Sequence, residues 1–348
     1  MGDKISLPVV GQDDASEKPD APKRAGGGCG GGGGTHRVLG THEPTQSQRI
    51  SGPARPNYQN LPDEAGDRPE WLRKRFRMNQ EFFETKKLVE EADLHTVCES
   101  ASCPNIGECW SEKALTFMIL GNVCTRSCGF CDVQTGKPNA VDEDEPRRVA
   151  ESLEGLGLNY VVITSVDRDD LDDGGAGIWA ETIRRIKEVC PDMGLEVLTP
   201  DFKGDMDDVQ TVLDAEPDCF AHNIETVESL HRMVRPQAKY QRSLAVLEHA
   251  KENGESLVKS GMMLGLGESN DEVLETMEDL VEHGVEILNL GQYLRPSPRH
   301  LPVKRWVHPD EFDELAEAGE QMGFRHVEAG PLVRSSYRAE QQVEKLSG

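Results

Sequence analysis

The stretch "LTFMILGNVCTRSCGFCDV", residues 115–133, joins a short apolar run to a loop with three closely spaced cysteines. The run is typical of a buried strand. Cys124, Cys128 and Cys131 follow it in a CxxxCxxC array, and thiolates at that spacing can converge on one metal centre. Three ligands are one too few for a closed structural zinc site. The array therefore predicts a metal centre with an open position.

After this first strand, short apolar runs alternate with amphipathic helical segments. The apolar runs are "LTFMIL", "NYVVITS", "GLEVLT", "DCFAHNI", "LVKSGMMLG" and "VEILNLG". The helical segments are residues 145–156, 176–189, 205–214, 240–253 and 271–283. Six strands separated by helices imply parallel β/α units with right-handed crossovers. This pattern alone does not choose between an incomplete barrel and a doubly wound sheet.

In a barrel, the chemistry would lie at the carboxyl ends of the strands. Polar residues do follow the predicted strands there. After the second, third and fourth strands they are Ser165 and Asp167, Thr199 and Asp201, and Asn223 and Glu225. The cysteine loop, defined as residues 121–133, follows the first strand and would therefore share their edge of the sheet.

A second array lies upstream in "CESASCPNIGECW", where Cys98, Cys103 and Cys109 have CxxxxCxxxxxC spacing. One cubane cluster cannot use six thiolates, and a predicted strand separates the arrays, so this upstream array suggests a second cluster. Zinc remains an alternative for either array, completed in the loop by a distant histidine. Structural cysteines remain a further alternative upstream.

The charge balance narrows the classes of partner. With 63 Asp and Glu against 38 Lys and Arg, the formal net charge is −25, which disfavours nucleic-acid binding through phosphate neutralisation. Dispersed acidic groups indicate a hydrated surface adapted to high salt, where screening weakens self-repulsion. No apolar run approaches about 18 residues, and the start lacks a secretory core. We therefore expect a cytoplasmic chain without a membrane segment.

The composition divides the chain into four predicted segments. They are residues 1–65, a disordered Gly- and Pro-rich extension; 66–115, a segment with the upstream array; 116–305, the β/α region; and 306–348, a C-terminal segment. Cys29 stands alone in the extension and is interpreted as an untethered thiol. One helix is expected over residues 71–91, where apolar residues including Phe76 recur at helical intervals.

The cysteine loop, with Phe130 before its last cysteine, resembles the radical S-adenosylmethionine superfamily. Both arrays together with "VRSSYRAE", residues 333–340, resemble the lipoyl synthase family. The resemblance covers about residues 69–339 and includes "TSVDRDDLDDGGA", "NIETV", "VKSGMMLGLGE" and "GQYLRPSPRHLPV". It implies an α/β fold, a partial (β/α)6 TIM-like barrel of the radical S-adenosylmethionine type, with an N-terminal extension that carries the second cluster.

The resemblance implies two 4Fe–4S clusters and S-adenosylmethionine as cofactors. Cys124, Cys128 and Cys131 would hold the cluster that reduces S-adenosylmethionine to give a 5′-deoxyadenosyl radical. The upstream array would hold an auxiliary cluster that donates the sulfur. Its fourth ligand in the family is the second serine of the RSSY motif, which is Ser336 here. An oxygen ligand is harder than a thiolate, so we expect it to be released as sulfur is extracted.

The implied activity is that of a sulfurtransferase, which inserts two sulfur atoms at C6 and C8 of a protein-bound octanoyl-lysine. These C–H bonds are not acidified by a nearby carbonyl, so a radical is needed. The implied partners are an octanoylated lipoyl carrier domain, in a dehydrogenase E2 subunit or glycine cleavage H protein, and an electron donor such as ferredoxin or flavodoxin.

Ser165, Asn223, Glu225 and Arg235 are our candidates for contacts with S-adenosylmethionine, against the alternative of ordinary polar caps at strand ends. Two rival functions remain. A biotin synthase-like sulfur-insertion enzyme shares the CxxxCxxC loop but lacks the upstream array paired with RSSY. A two-cluster electron carrier would ordinarily use four thiolates per cluster.

Overall fold

A computed structural model describes residues 58–59, 61–73, 79–91, 94–101 and 103–347. Cys29, Phe76 and most of the predicted extension lie outside the described residues. The span expected to form one helix over residues 71–91 contains a 3-10 turn, Glu70–Leu72, and helix α1, Gln80–Glu91. Arg73 follows the turn with extended backbone, so a continuous helix from residue 71 is wrong.

Six of the nine described strands lie on the apolar runs of the sequence. In chain order they are β1 Thr116–Ile119, β2 Val123–Cys124, β3 Gln134–Thr135, β4 Tyr160–Ser165, β5 Gly194–Leu198, β6 Cys219–Ala221, β7 Leu257–Leu264, β8 Ile287–Gln292 and β9 His326–Gly330. Within the described chain, seven of them form one parallel sheet in the order β1-β4-β5-β6-β7-β8-β9, and β2 pairs with β3.

The helices fill the connections between these strands. After α1 they are α2 Val97–Ser100, α3 Ile106–Ser111, α4 Glu145–Leu156, α5 Ala176–Val189, α6 Met206–Leu213, α7 Glu228–Val234, α8 Tyr240–Asn253, α9 Asn270–Glu282, α10 Pro309–Met322 and α11 Ala339–Ser347. A capping box between Ser269 and Glu272 begins α9, and left-handed Gly157 ends α4. None of the described helices is long and apolar enough to cross a membrane.

The order of the strands decides between the two predicted architectures. A doubly wound sheet reverses its strand order at a switch point, whereas here each new β/α unit adds its strand to the same side. The two edges also approach each other, because Thr116 on β1 donates to Ser336 Oγ, six residues after β9, at 2.8 Å. The fold is therefore the incomplete barrel, and the prediction of its type is confirmed.

The six predicted strands and five predicted helices are present, with helix ends shifted by one residue at most. The seventh strand, β9, was not predicted. In its sequence "HVEAG" only Val327 is buried, because β9 is an edge strand. The sequence therefore has no continuous apolar run at β9, because this edge strand is not fully buried.

The inner face of the barrel is polar below the strand ends. Lys259 Nζ on β7 lies 3.0 Å from both carboxylate oxygens of Glu196 on β5, and both side chains are buried. Tyr160 on β4 donates to the same carboxylate at 3.2 Å. This ion pair ties β4, β5 and β7 together on the inner face.

Residues 58–59 and 61–66 pack on the loop that follows β8. Asp63 Oδ1 accepts from the Val303 backbone N–H at 2.8 Å and from Arg295 at 3.1 Å. Glu64 N–H donates to the Val303 carbonyl at 2.9 Å. The domain boundary at residue 65 stays a prediction, but these contacts place the end of the proposed extension on the barrel.

Replacing Asp63 with Ala should lower the unfolding free energy by about 1 kcal/mol, since the Val303 N–H loses its acceptor and the Arg295 guanidinium loses one of several acceptors. Urea unfolding of the metal-free protein measures the loss. Asp63→Asn is the matched control, because its amide oxygen still accepts from Val303 and should retain part of the stability. Equal midpoints for Asp63→Ala and the unaltered chain would contradict the docking of this segment.

Candidate active site

A cavity of about 540 Å³ lies at the carboxyl ends of the strands and contacts both cysteine arrays. Among the described residues, its lining includes Cys98 and Cys103 of the upstream array and Cys124, Cys128 and Cys131 of the cysteine loop. Ser165, Asn223, Glu225, Arg235 and Ser336 also line it. The structure thus brings nearly all predicted site residues to one chamber. Cys109 is the exception, since it packs against the hydrophobic core instead.

The upstream array folds as two short helices joined by a tight turn. Thr96 caps α2 by accepting from the Glu99 N–H, and Cys103 N–H donates to the Cys98 carbonyl at 3.0 Å. Burial, with Cys103 nearby, raises the pKa of the Cys98 thiol to about 11. Cys109, on α3, is close enough to contribute to the raised pKa of Tyr337.

The two serines of the RSSY motif have different partners. Ser336 Oγ accepts from Thr116 Oγ1 at 2.8 Å, and a backbone hydrogen bond from Thr116 acts to lower the pKa of Cys98. Ser335 Oγ instead accepts from Asn223 Nδ2 at 2.6 Å, at the end of β6. Ser336 is therefore the serine on the side of the upstream array.

The sulfur of Cys124 is held by backbone donors. The N–H groups of Arg126 and Asp167 point at its Sγ from 3.4 and 3.3 Å. Burial nevertheless raises the pKa of this thiol, and burial raises that of Cys128 to about 12 although Arg235 lowers it. Thiolates at this loop therefore need a cationic centre, which deprotonates a thiol on coordination.

Arg126, between the first two cysteines of the loop, is 3% exposed and bridges carboxylates from two strand ends. Its guanidinium lies 3.2 Å from Asp167 and 2.7 Å from Asp169, both after β4, and 2.6 Å from Asp201, after β5. Arg242 also pairs with Asp201, at 3.2 Å. Although burial opposes it, Arg126 lowers the pKa of Asp201, whereas burial raises the pKa of Asp167.

The cavity wall also offers unsatisfied polar atoms. Within the described residues, Ser165 Oγ, Arg235 Nε and Asn289 Oδ1 are buried without a hydrogen-bond partner, and all three residues line the cavity. Glu225 has a left-handed backbone, with φ 68°, and burial raises the pKa of its carboxyl. Unsatisfied polar atoms and strained backbone are typical of ligand sites.

Sequence reasoning missed the roles of Arg126, Asp169 and Arg334. Arg334 and Arg68 line the cavity beside Cys103, and no described carboxylate pairs with either. The sequence does contain a signal for the role of Arg126. Its positive charge within the cysteine loop is complementary to the acidic run "DRDD", which follows the next strand of the sheet. Nothing in the sequence showed which of those aspartates would reach it.

Known proteins with similar sequences or structures include the following. Residues 118–280 match the model of the radical SAM superfamily. A lipoyl synthase of Rubrobacter xylanophilus is 57% identical over 278 residues, 80% of this chain and 87% of the relative. One of Christiangramia forsetii is 52% identical over 276 residues, 79% of this chain and 94% of the relative. A methylornithine synthase structure is 15% identical, with a TM-score of 0.49 over 61% of this chain and 63% of that one.

The barrel and the cysteine loop at its open edge define a radical S-adenosylmethionine protein. Because the chain is 57% and 52% identical to these two lipoyl synthases over most of both sequences, it belongs to the lipoyl synthase family. It is thus a sulfurtransferase that uses S-adenosylmethionine and 4Fe–4S clusters, as the motifs of the two arrays predicted.

Replacing Arg126 with Met should destabilise the metal-free protein by about 3 kcal/mol, because Asp167 and Asp169 lose their guanidinium partner and buried Asp201 keeps only Arg242 of its described ion-pair partners. Urea unfolding measures the change. Arg242→Met is the matched control: it removes a cation from Asp201 only and should cost clearly less. If both variants unfolded at the same urea concentration, Arg126 would not be the anchor of the loop.

Proposed function

We propose that the two arrays divide the sulfur-insertion reaction between them, with Cys124, Cys128 and Cys131 on the radical side and the upstream array with Ser336 on the sulfur side. The observation that carries this proposal is the single cavity lined by residues of both arrays. Sulfur insertion requires the activated carbon and the sulfur source to meet, and a shared chamber of about 540 Å³ is within the usual size of ligand sites.

The donor sets fit the groups that the family uses. Three thiolates suit a cluster with one open iron, and three thiolates plus a hydroxyl suit a second cluster. Ser165 Oγ and Arg235 Nε lack partners among the described residues, which fits a ligand with carboxylate and hydroxyl groups such as S-adenosylmethionine. When bound, these cofactors would supply the radical that removes hydrogen from the substrate and the sulfur that replaces it.

The chain's own residues would orient these groups. Arg235 donates to the Asn223 carbonyl at 2.7 Å, which fixes its guanidinium beside the cavity. Asn223 in turn donates to Glu225 Oε1 at 3.0 Å and to Ser335 Oγ. This chain of hydrogen bonds joins the residues proposed for S-adenosylmethionine to the RSSY segment. A displacement of these residues at one cofactor would thus be transmitted by the hydrogen bonds to the residues at the other.

The remaining wall of the cavity is apolar and suits an alkyl chain. Val97, Met118, Met262, Met263 and Val333 line it, and apolar side chains both bind a hydrocarbon and exclude water from a reactive centre. A pure electron carrier has no use for such a chamber between its two cysteine arrays. We propose octanoyl-lysine on a carrier domain, an E2 subunit or an H protein, as the substrate.

Cys128→Ala should abolish reductive cleavage of S-adenosylmethionine, because the loop keeps only two thiolates and should not retain its cluster. The measurement is 5′-deoxyadenosine formed under dithionite after anaerobic reconstitution. Cys190→Ala is the control, since Cys190 lies after α5 and does not line the cavity. Appreciable 5′-deoxyadenosine from Cys128→Ala would move the radical chemistry away from this loop.

Cys103→Ala should separate the two half-reactions, giving 5′-deoxyadenosine but no thiolated product. Ser336→Ala should show the same division in a milder form, because iron can accept water in place of the hydroxyl. Each variant is given an octanoyl-lysine peptide, and both products are followed by mass spectrometry. Ser152→Ala is the control, because Ser152 lies on α4 and is not among the residues that line the cavity. Dithiolated peptide at the unaltered rate from Cys103→Ala would refute the assignment.

A further inference from the structure

The carboxyl end of α7 lies directly against the cysteine loop. Gly129, between the second and third cysteines, donates its N–H to the Val234 carbonyl at 2.8 Å. The two residues before Val234 face solvent: Arg232 is exposed, and Met233 is an exposed hydrophobic residue at 39%. A cation and an apolar side chain therefore lie on the surface within two residues of a contact to the loop.

Two further exposed cations, Lys239 and Arg299, also lie within two residues of a contact with the cysteine loop. Gln237 Nε2 donates to Ser127 Oγ at 3.1 Å, and Lys239 is exposed two residues later. Leu301 N–H donates to the carbonyl of the same loop glycine at 3.0 Å, and Arg299 is exposed two residues earlier. We call Arg232, Met233, Lys239 and Arg299 the cationic face.

The charges of this face are not neutralised. Several exposed bases elsewhere pair with acids, as Arg147 does with Asp144 and Glu151. In the described part of the chain, no ion pair involves Arg232, Lys239 or Arg299. In a chain of net charge −25, three cations without an ion pair thus lie close to one loop. Such a group of cations favours an acidic partner and steers its approach.

We propose that the cationic face docks an acidic electron-carrier protein, which passes one electron to the cluster of the cysteine loop. The inference rests on the proposed function of that loop. The carrier is oxidised by one electron, the cluster is reduced by one, and no atom moves. The face suits this partner because the segments that carry Arg232 and Arg299 are bonded to the backbone of Gly129, between Cys128 and Cys131. Weak electron-transfer complexes also use small interfaces, and methionine is enriched in interface cores.

The test compares a chemical reductant with a protein donor. Arg232→Glu and Arg299→Glu are measured for 5′-deoxyadenosine formation, first with dithionite and then with an acidic flavodoxin kept reduced. With dithionite both should match the unaltered chain. With flavodoxin at low salt their rates should fall about tenfold, because a reversed charge acts on the association rate. Arg184→Glu is the matched control: Arg184 is exposed on α5 and has no ion pair among the described residues.

Several outcomes would overturn the proposal. Flavodoxin-driven rates equal to that of Arg184→Glu would remove the docking role, and an equal loss with dithionite would show a disturbed loop. If dithionite-driven thiolation fell only when the octanoyl group was on a carrier domain, and not on a peptide, the face would bind the substrate protein. Sedimentation that showed self-association lost in both variants would assign the face to a second copy. No cleavage by the unaltered chain with dithionite would instead refute the proposed function.

Discussion

The ion pairs of Arg126 are the interaction on which the site depends. The cysteine loop has little regular structure of its own, and a flexible loop would not hold three sulfurs in one arrangement. Arg126 fixes it to Asp167 and Asp169 after β4 and to Asp201 after β5. Buried ion pairs contribute little net stability compared with an apolar core, but losing one partner is costly. The ion pairs of Arg126 therefore serve mainly to fix the position of the cysteine loop and contribute less to the net stability of the fold.

The incompleteness of the barrel is the second constraint. A closed barrel would leave no room between β1 and β9, whereas here Thr116 on one edge bonds Ser336 beyond the other. Asn105, in the upstream segment, donates to the Leu332 carbonyl at 2.6 Å. The upstream array and the C-terminal segment thus meet at the gap between the edges. The gap lets residues far apart in sequence contribute to one cavity.

The same physical constraints decide which parts of the fold and of the site can be predicted from the sequence. The six apolar runs were sufficient for parallel β/α units, and the cysteine spacings for the two arrays, because burial and metal ligation leave strong local patterns. The barrel type came from the family resemblance and not from the strand pattern. Edge strand β9 left no such pattern. Long-range polar contacts left little: the run "DRDD" matches the charge of Arg126 but does not show its partners, and the left-handed backbone of Glu225 depends on tertiary packing. The docking of Asp63 on Arg295 was also hidden, since a short polar segment looks the same whether bound or free.

The pairing of Ser336 with Thr116 bears on the proposed role of Ser336 as an oxygen ligand. A buried hydroxyl that loses its only partner costs about 1–3 kcal/mol. If Ser336 ligates iron and is then displaced as sulfur leaves, the bond from Thr116 already gives its oxygen a partner. Displacement therefore does not leave an unsatisfied group in the cavity. A thiolate from Cys98 would bind iron more strongly, and burial makes its free thiolate costly. In the proposed ligand set, Ser336 is thus the ligand whose departure would cost least.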